Sequence, residues 1–286
     1  MARLARLDAE LVRRGLARSR QQAAEYIAAG RVSVAGQVAA KPATQVEISA
    51  AILVTEDDTD PGYASRGGYK LAGALDAFAH DGLTVEGRRC LDAGASAGGF
   101  TDVLLRRGAR QVVAVDVGYG QLAWRLRTDP RVVIHDRTNV RELTPQLVGG
   151  AVDVIVADLS FISLTLVLPA LTASLDPDGD LVPMVKPQFE VGRDRVGPGG
   201  VVTEPALRAD AVRRVAGAAA ALGLGVRGLV ASPLPGPAGN VEYFVWLKRG
   251  EPPLDEMDLE LAMATSPSAD LSVAAPARQP AAECEA

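Results

Sequence analysis

The spacing of apolar positions changes several times along this chain, and each change marks a new element. Leu4, Leu7 and Leu11 recur every three or four residues with arginines on the other faces, which predicts a first helix stopped by Gly15. Ser19 followed by Gln22 reads as a capping box opening a second helix, with Ala23, Ala24 and Ile27 turned inward and Gly30 ending it. Period two then takes over: Val32 and Val34 alternate with Arg31 and Ser33, and Ala35-Gly36 turns the chain into Gln37-Val38. The expectation is two short helices feeding a small hairpin. Residues 56–64, E-D-D-T-D-P-G-Y-A, are acidic and rich in turn formers, so a domain boundary is placed there.

Helical spacing returns through Leu71, Leu75 and Phe78, with Lys70 near the start of that helix. From residue 88 onward, short apolar runs alternate with helical stretches. Strands are predicted at 88–93, 112–116, 132–134, 152–157 and 181–185, with a helix running from Gly98-Gly99-Phe100-Thr101 to Gly108. A last apolar strand, Val241-Glu242-Tyr243-Phe244-Val245-Trp246-Leu247, follows a loop rich in proline and glycine. Strand and helix alternating at this spacing imply an α/β domain whose parallel sheet is covered on both faces. In such sheets ligands lie beyond the carboxyl ends of the strands.

Those ends carry the informative residues. D-A-G-A-S-A-G-G-F at 92–100 gathers Gly94, Ala95, Gly98 and Gly99 at a strand-to-helix turn, where backbone must approach a ligand closely. It is not the dinucleotide fingerprint G-x-G-x-x-G. Asp116 ends the next strand, where a carboxylate can accept both hydroxyls of a ribose. Asp158 follows the fourth strand and Lys186 closes the fifth, just before Pro187, which biases the lysine toward extended backbone. If the last strand is antiparallel, Glu242 begins at the same edge. Taken alone, Lys70 reads as a solvated surface charge, and the bland account of all four residues is a pair of ordinary ion pairs at a sheet edge.

Composition bounds the function. At 286 residues, 48% hydrophobic and 23% charged, the chain suits one sizeable α/β domain plus something small. No apolar run reaches the roughly 18 to 20 residues of a membrane span, and the start lacks an apolar signal core, so a soluble cytoplasmic protein is the expectation. Two cysteines, Cys90 and Cys284, make no disulfide framework, and neither His80 nor His135 sits in a metal-like cluster. The net charge of -5 conceals an asymmetry: residues 1–50 hold eight bases against four acids, while residues 251–286 hold eight acids against one base. The basic end is where a polyanion should dock. The acidic segment from 251 onward, rich in Ala, Pro and Ser, is expected to be disordered.

These motifs resemble known families. R-L-D-A-E-L-V-R-R-G-L-A-R-S-R-Q-Q-A-A-E-Y-I-A-A-G-R-V-S-V-A-G-Q-V-A-A-K-P is similar to the RNA-binding domain named after ribosomal protein S-four, over about residues 4–55. The resemblance implies that Arg6, Arg13, Arg14, Arg18 and Arg20 lie near phosphates of folded RNA, and Arg66 is added to that set. D-A-G-A-S-A-G-G-F with Asp116 resembles the S-adenosylmethionine site of Rossmann-like class I methyltransferases. That implies a mostly parallel sheet with an antiparallel last strand, and cofactor contacts from Asp92, Gly94, Ala95, Ser96, Gly98, Gly99, Phe100, Asp116 and Asp158. Lys70, Asp158, Lys186 and Glu242 resemble the Lys-Asp-Lys-Glu tetrad of FtsJ-like ribose 2′-O-methyltransferases. Strand four lacks the Pro-Pro-aromatic ending of enzymes that methylate base amines: it ends A-D-L-S-F.

The whole combination looks like the TlyA family, also called hemolysins, and implies methylation of cytidine 2′-hydroxyls in ribosomal RNA of both subunits. Lys186 would then stand at the hydroxyl, as base if desolvation and Lys70 lower its proton affinity, or otherwise as a cationic stabiliser. Asp158 would orient it, and Glu242 would hold one of the lysines. The domain expectation is 1–58 for RNA binding, 59–66 as linker, 67–250 for the methyltransferase and 251–286 as tail. Two other classes are carried alongside: a non-catalytic RNA-binding assembly protein, and a membrane-active hemolysin, which a long basic amphipathic helix would have to support.

Overall fold

The structure is a computed structural model that describes residues 3–17, 19–55 and 60–266. The chain divides into two compact units, Met1–Gly62 and Tyr63–Ala286.

The first unit opens with β1 (Leu4–Arg6) and α1 (Leu7–Arg13), then α2 (Arg20–Ala28), β2 (Val32–Val34), β3 (Gln37–Val38), β4 (Gln45–Glu47) and β5 (Ile52–Val54). Leu4 was expected on a helix, but it lies in β1 opposite Glu47 and is largely exposed. Its i, i+3 relation to Leu7 is a coincidence of spacing, because the partner strand is forty residues away and invisible to local pattern. Ser19 caps α2 as its position suggests, its hydroxyl accepting from the Gln22 amide. Leu7, Leu11, Ala23, Ile27, Val32 and Val46 close a small separate core.

The second unit contains α3 (Arg66–Ala79), β6 (Arg89–Ala93), α4 (Gly99–Arg106), β7 (Gln111–Val115), α5 (Trp124–Arg127), β8 (Val132–His135), β9 (Val152–Ala157), α6 (Leu168–Ser174), β10 (Leu175–Val185), α7 (Pro187–Glu190), α8 (Pro205–Ala220), β11 (Leu224–Ala231), β12 (Tyr243–Arg249) and α9 (Glu256–Ala264). The sheet order is β11-β12-β10-β9-β6-β7-β8. β6 through β10 pair in parallel, and β12 runs antiparallel to both neighbours. Period-two alternation distributes side chains between two cores: Leu91, Val113, Ile155 and Val245 join one, while Cys90, Val112, Val154 and Phe244 join the other. Burial on both faces explains why the strands read as unbroken apolar runs.

Two elements depart from expectation. β11 has no counterpart in the pattern reading, because Gly225 and Gly228 interrupt its apolar run and it owes its place to β12. The segment after 250 is not wholly disordered: α9 starts at Asp255, whose side chain accepts from the Met257 amide, and buries Leu259 and Ala262 in the core. Its acidic first turn suits a helix N-terminus, so the acids that argued for disorder help start the helix. Residues 267–286 lie outside the described residues. Among the described residues, no helix is long and apolar enough to cross a membrane.

Candidate active site

After β6 the chain goes on to β7 and β8 on one side, then returns to place β9 on the other. The reversal leaves a crevice at the carboxyl ends of β6 and β9, where open α/β sheets bind ligands. The loop leaving β6 turns back through positive φ at Gly94 (91°), Ser96 (46°) and Gly98 (95°). A side chain on Gly94 would collide with the carbonyl of Asp158, so glycine lets the two strand exits pass.

Around that loop the expected cofactor residues divide by environment. Asp116 braces the loop, accepting from the Ser96 amide at 2.8 Å and the Gly118 amide at 2.6 Å. Asp92 is fully buried; one oxygen accepts from Thr101 Oγ1 at 2.7 Å and the other, Oδ1, has no hydrogen-bond partner. Burial pushes its carboxyl up to about 7, despite the Thr101 hydrogen bond. Gly98 and Gly99 open α4, Ala95 is buried, and Phe100 turns its ring into the core 5.9 Å from Phe244.

The four candidate catalytic side chains form two ion pairs at this sheet edge. Lys70 Nζ lies 2.5 Å from Glu242 Oε2, both side chains buried. Lys186 Nζ lies 2.6 Å from Asp158 Oδ1 and donates to Ser160 Oγ at 3.0 Å. Asp158 Oδ1 makes no aligned hydrogen bond, so that contact is one of charge. Register aligns Val185 with Tyr243, which sets the following Lys186 and the preceding Glu242 at neighbouring strand ends. On the other side α3 approaches the second pair at Gly67, one turn before Lys70, where an added Cβ would sit 3.5 Å from Asp158 Oδ2. Glu242 precedes the strand rather than opening it, because β12 begins at Tyr243.

Three polar residues beyond the expected set complete the surroundings. The exposed Ser160 hydroxyl orients Lys186. Asn240, nearly fully buried, accepts from the Val202 amide at 2.9 Å and donates to the Gly200 carbonyl at 2.8 Å, pinning the glycine-rich loop. Glu190, also buried, bonds to Ser163 and Leu164. Ser160 sits within the A-D-L-S-F ending of strand four, and for none of the three does local spacing distinguish the partner. Phe161 is 92% exposed, with its ring 5.2 Å from that of Phe189, so it is not a core residue. Among the described residues no His, Cys, Asp and Glu cluster could hold a metal ion.

In the first unit, two buried acids organise the arginines. Asp8 binds Arg6 at 2.9 Å and Arg20 at 2.8 Å, which draws its carboxyl well below the usual range. Glu10 binds Arg13 and Arg14, whose hydrogen bonds hold its carboxyl down to about 2. Arg6, Arg13 and Arg20 still expose much of their side chains. Arg14 instead spends its guanidinium on Glu10 and on the carbonyls of Ala50 and Ile48, an arrangement that holds this fold together. Arg18 lies outside the described residues. Arg66, in the second unit, donates to the Pro235 carbonyl.

Residues 63–249 match the FtsJ-like methyltransferase family, and residues 5–52 match the S4 domain. A Mycobacterium tuberculosis protein named 16S/23S rRNA (cytidine-2'-O)-methyltransferase TlyA is 64% identical over 87% of this chain and 91% of its own length. Hemolysin A of Brachyspira hyodysenteriae is 36% identical over 83% of this chain and 97% of its own. A solved structure from Streptococcus thermophilus, named as a hemolysin, superposes with a TM-score of 0.72 at 37% identity, covering 92% of this chain and 96% of that one. With both domain matches in order and relatives aligned over nearly their full length, the chain belongs to the TlyA family of FtsJ-like methyltransferases.

Proposed function

We propose that this protein transfers a methyl group from S-adenosylmethionine to the ribose 2′-hydroxyl of cytidines in ribosomal RNA of both subunits, in the cytoplasm. The observation that carries the reading is the pair of ion pairs, Lys70 with Glu242 and Lys186 with Asp158, brought to one sheet edge beside the glycine turn.

The residues around the turn fit such a donor. Asp92 offers a buried oxygen with no hydrogen-bond partner, suited to a cationic group, and Asp116 offers a carboxylate suited to the ribose hydroxyls. Gly94, Ala95, Ser96, Gly98 and Gly99 supply the close backbone around it, and Phe100 supports the turn from the core. When bound, S-adenosylmethionine supplies an electrophilic methyl group on a sulfonium.

A ribose hydroxyl is a weak nucleophile, so the protein must stabilise negative charge as its proton leaves. Lys186 stands at the open end of the pair with Asp158 and places its amine toward the acceptor oxygen. Asp158 and Ser160 aim that amine. Lys70 and Glu242, buried against each other, fix the other wall. Holding hydroxyl and methyl carbon in line supplies much of the acceleration. Phe161, exposed beside Phe189, gives the cytosine ring a face to stack on. Arg6, Arg13 and Arg20, steadied by buried acids, face phosphates, as Arg18 and Arg66 would.

The test is the product. Ribosomal RNA of each subunit, incubated with the protein and donor labelled in its methyl group, should gain label on cytidine 2′-oxygens. Label on base nitrogen or carbon would refute the acceptor assignment.

A further inference from the structure

Two segments face each other across the more exposed half of the site. One follows β9 and carries Asp158, Ser160 and Phe161; the other follows β10 and carries Lys186 and Phe189. The Lys186–Asp158 pair, the Lys186–Ser160 hydrogen bond and the Phe161–Phe189 ring contact all cross between them. Phe161 is almost wholly exposed and carries a positive φ of 64°, a conformation that costs energy for an aromatic residue. Something else must hold the segments at a fixed separation.

Among the described residues, Glu190 is the buried carboxylate that spans them. It ends α7, four residues after Lys186, and is 2% exposed. Oε2 accepts from Ser163 Oγ at 2.6 Å and Oε1 from the Leu164 amide at 2.7 Å, two and three residues beyond Phe161. Its own carbonyl accepts from Arg214 on α8 at 3.2 Å, which fixes α7 from behind. Burial pushes its carboxyl above the ordinary range even though Ser163 and Leu164 donate to it. An apolar residue would fill this place without that desolvation cost, so the carboxylate is retained for what its two oxygens hold.

We propose that Glu190 is a positioning residue for methyl transfer: it sets the spacing between the Asp158–Phe161 segment and the Lys186–Phe189 segment without touching substrate. The inference rests on the function proposed above. It makes the geometry around Lys186 depend on two hydrogen bonds formed away from the reacting atoms.

The experiment compares Glu190→Ala, Glu190→Gln and Ser163→Ala in the full chain, measuring turnover on ribosomal RNA, donor affinity, melting temperature and hydrogen exchange of the Leu164 amide. Glutamine still accepts from Leu164 and can donate to Ser163 Oγ, so it should stay within about fivefold of wild-type turnover. Glu190→Ala should lose about 10- to 100-fold in kcat, the scale of an ångström's misplacement, with donor affinity within about twofold. Ser163→Ala removes one of the two bonds and should fall between, at about three- to tenfold, which keeps the test open if Glu190→Ala fails to fold. Leu164 should exchange at least about tenfold faster in Glu190→Ala and stay protected in Glu190→Gln.

Three outcomes would overturn the proposal: unchanged turnover per folded molecule in both Glu190→Ala and Ser163→Ala, donor affinity falling in step with turnover, or no rescue by glutamine. Wild-type protein that leaves ribose unmethylated would refute the function instead. The exchange rates then decide the brace alone, and an unchanged Leu164 would end it.

Discussion

The Lys70–Glu242 and Lys186–Asp158 pairs use the same chemical groups at one sheet edge, yet their surroundings differ. Lys70 and Glu242 expose 7% and 1% of their side chains, whereas Lys186 and Asp158 expose 10% and 25%. The closed pair is a fixed piece of architecture that joins α3 to the start of β12. The open pair shares its lysine with an exposed hydroxyl and keeps a carboxylate toward the crevice. The contrast lies in the carboxylates: Glu242 is sealed from water, whereas Asp158 keeps a quarter of its side chain exposed.

The sharpest way to break this contrast is Lys70→Ala. It would strand Glu242 as a buried, unpaired charge, a change that costs about 3–5 kcal/mol, and a melting temperature lower by on the order of 10 °C is expected together with lost turnover. Lys186→Ala should melt much closer to wild type, because Asp158 can be hydrated, while kcat falls about 10²- to 10³-fold and donor affinity holds within about twofold. Equal melting temperatures for the two variants would erase the distinction, as would donor binding lost with Lys186.

Asp92 sharpens the comparison from another side, being a buried acid with no base beside it. Its folded carboxyl, at about 7, lies above the ordinary carboxylate value near 4. A group raised in this way contributes stability that is complete below its unfolded value and lost as pH rises through about 7. Thermal melts of wild type should therefore decline across that window more than melts of Asp92→Asn, and the variant should melt a few degrees higher at pH 8. A cationic donor favours the ionised form, so wild-type donor affinity should rise between pH 6 and pH 8. A flat affinity would remove Asp92 from the donor site.

The smallest effect is expected in the first unit, where buried acids again hold accessible bases. Arg6→Ala with Arg20→Ala should weaken RNA binding several-fold and flatten its salt dependence by about two counterions, measured as the slope of log affinity against log salt. Arg14→Ala should instead lower the stability of this unit with little change in that slope. The reverse pattern would mean that the roles of Arg14 and its neighbours have been exchanged.

Legibility followed the range of the physics. Ser19 and its helix, the hairpin of β2 and β3, and the glycine turn at 94–99 rest on neighbours within a few residues, and each is present where local pattern placed it. The last strand and its edge were reachable through the resemblance to a known fold. Leu4 was misplaced, β11 went unseen and α9 was taken for disorder, because each is decided by a partner far along the chain. For Ser160, Glu190 and Asn240, local pattern does not reveal where a hydroxyl, carboxylate or amide points.

By itself the sequence determined the alternation of apolar runs, the residue types at each strand end and the basic bias of the first fifty residues. These are local quantities, set by side-chain chemistry and backbone preference over one or two turns. Tertiary structure alone decided that Glu242 should be sealed in with Lys70 while Asp158, the partner of the equally buried Lys186, keeps contact with water. It also decided that Arg14 should serve the fold and Arg6 the surface. The physical reason is that burial and pairing depend on which distant segments meet, and an identical lysine becomes a strut or a tool according to how much water its partner keeps.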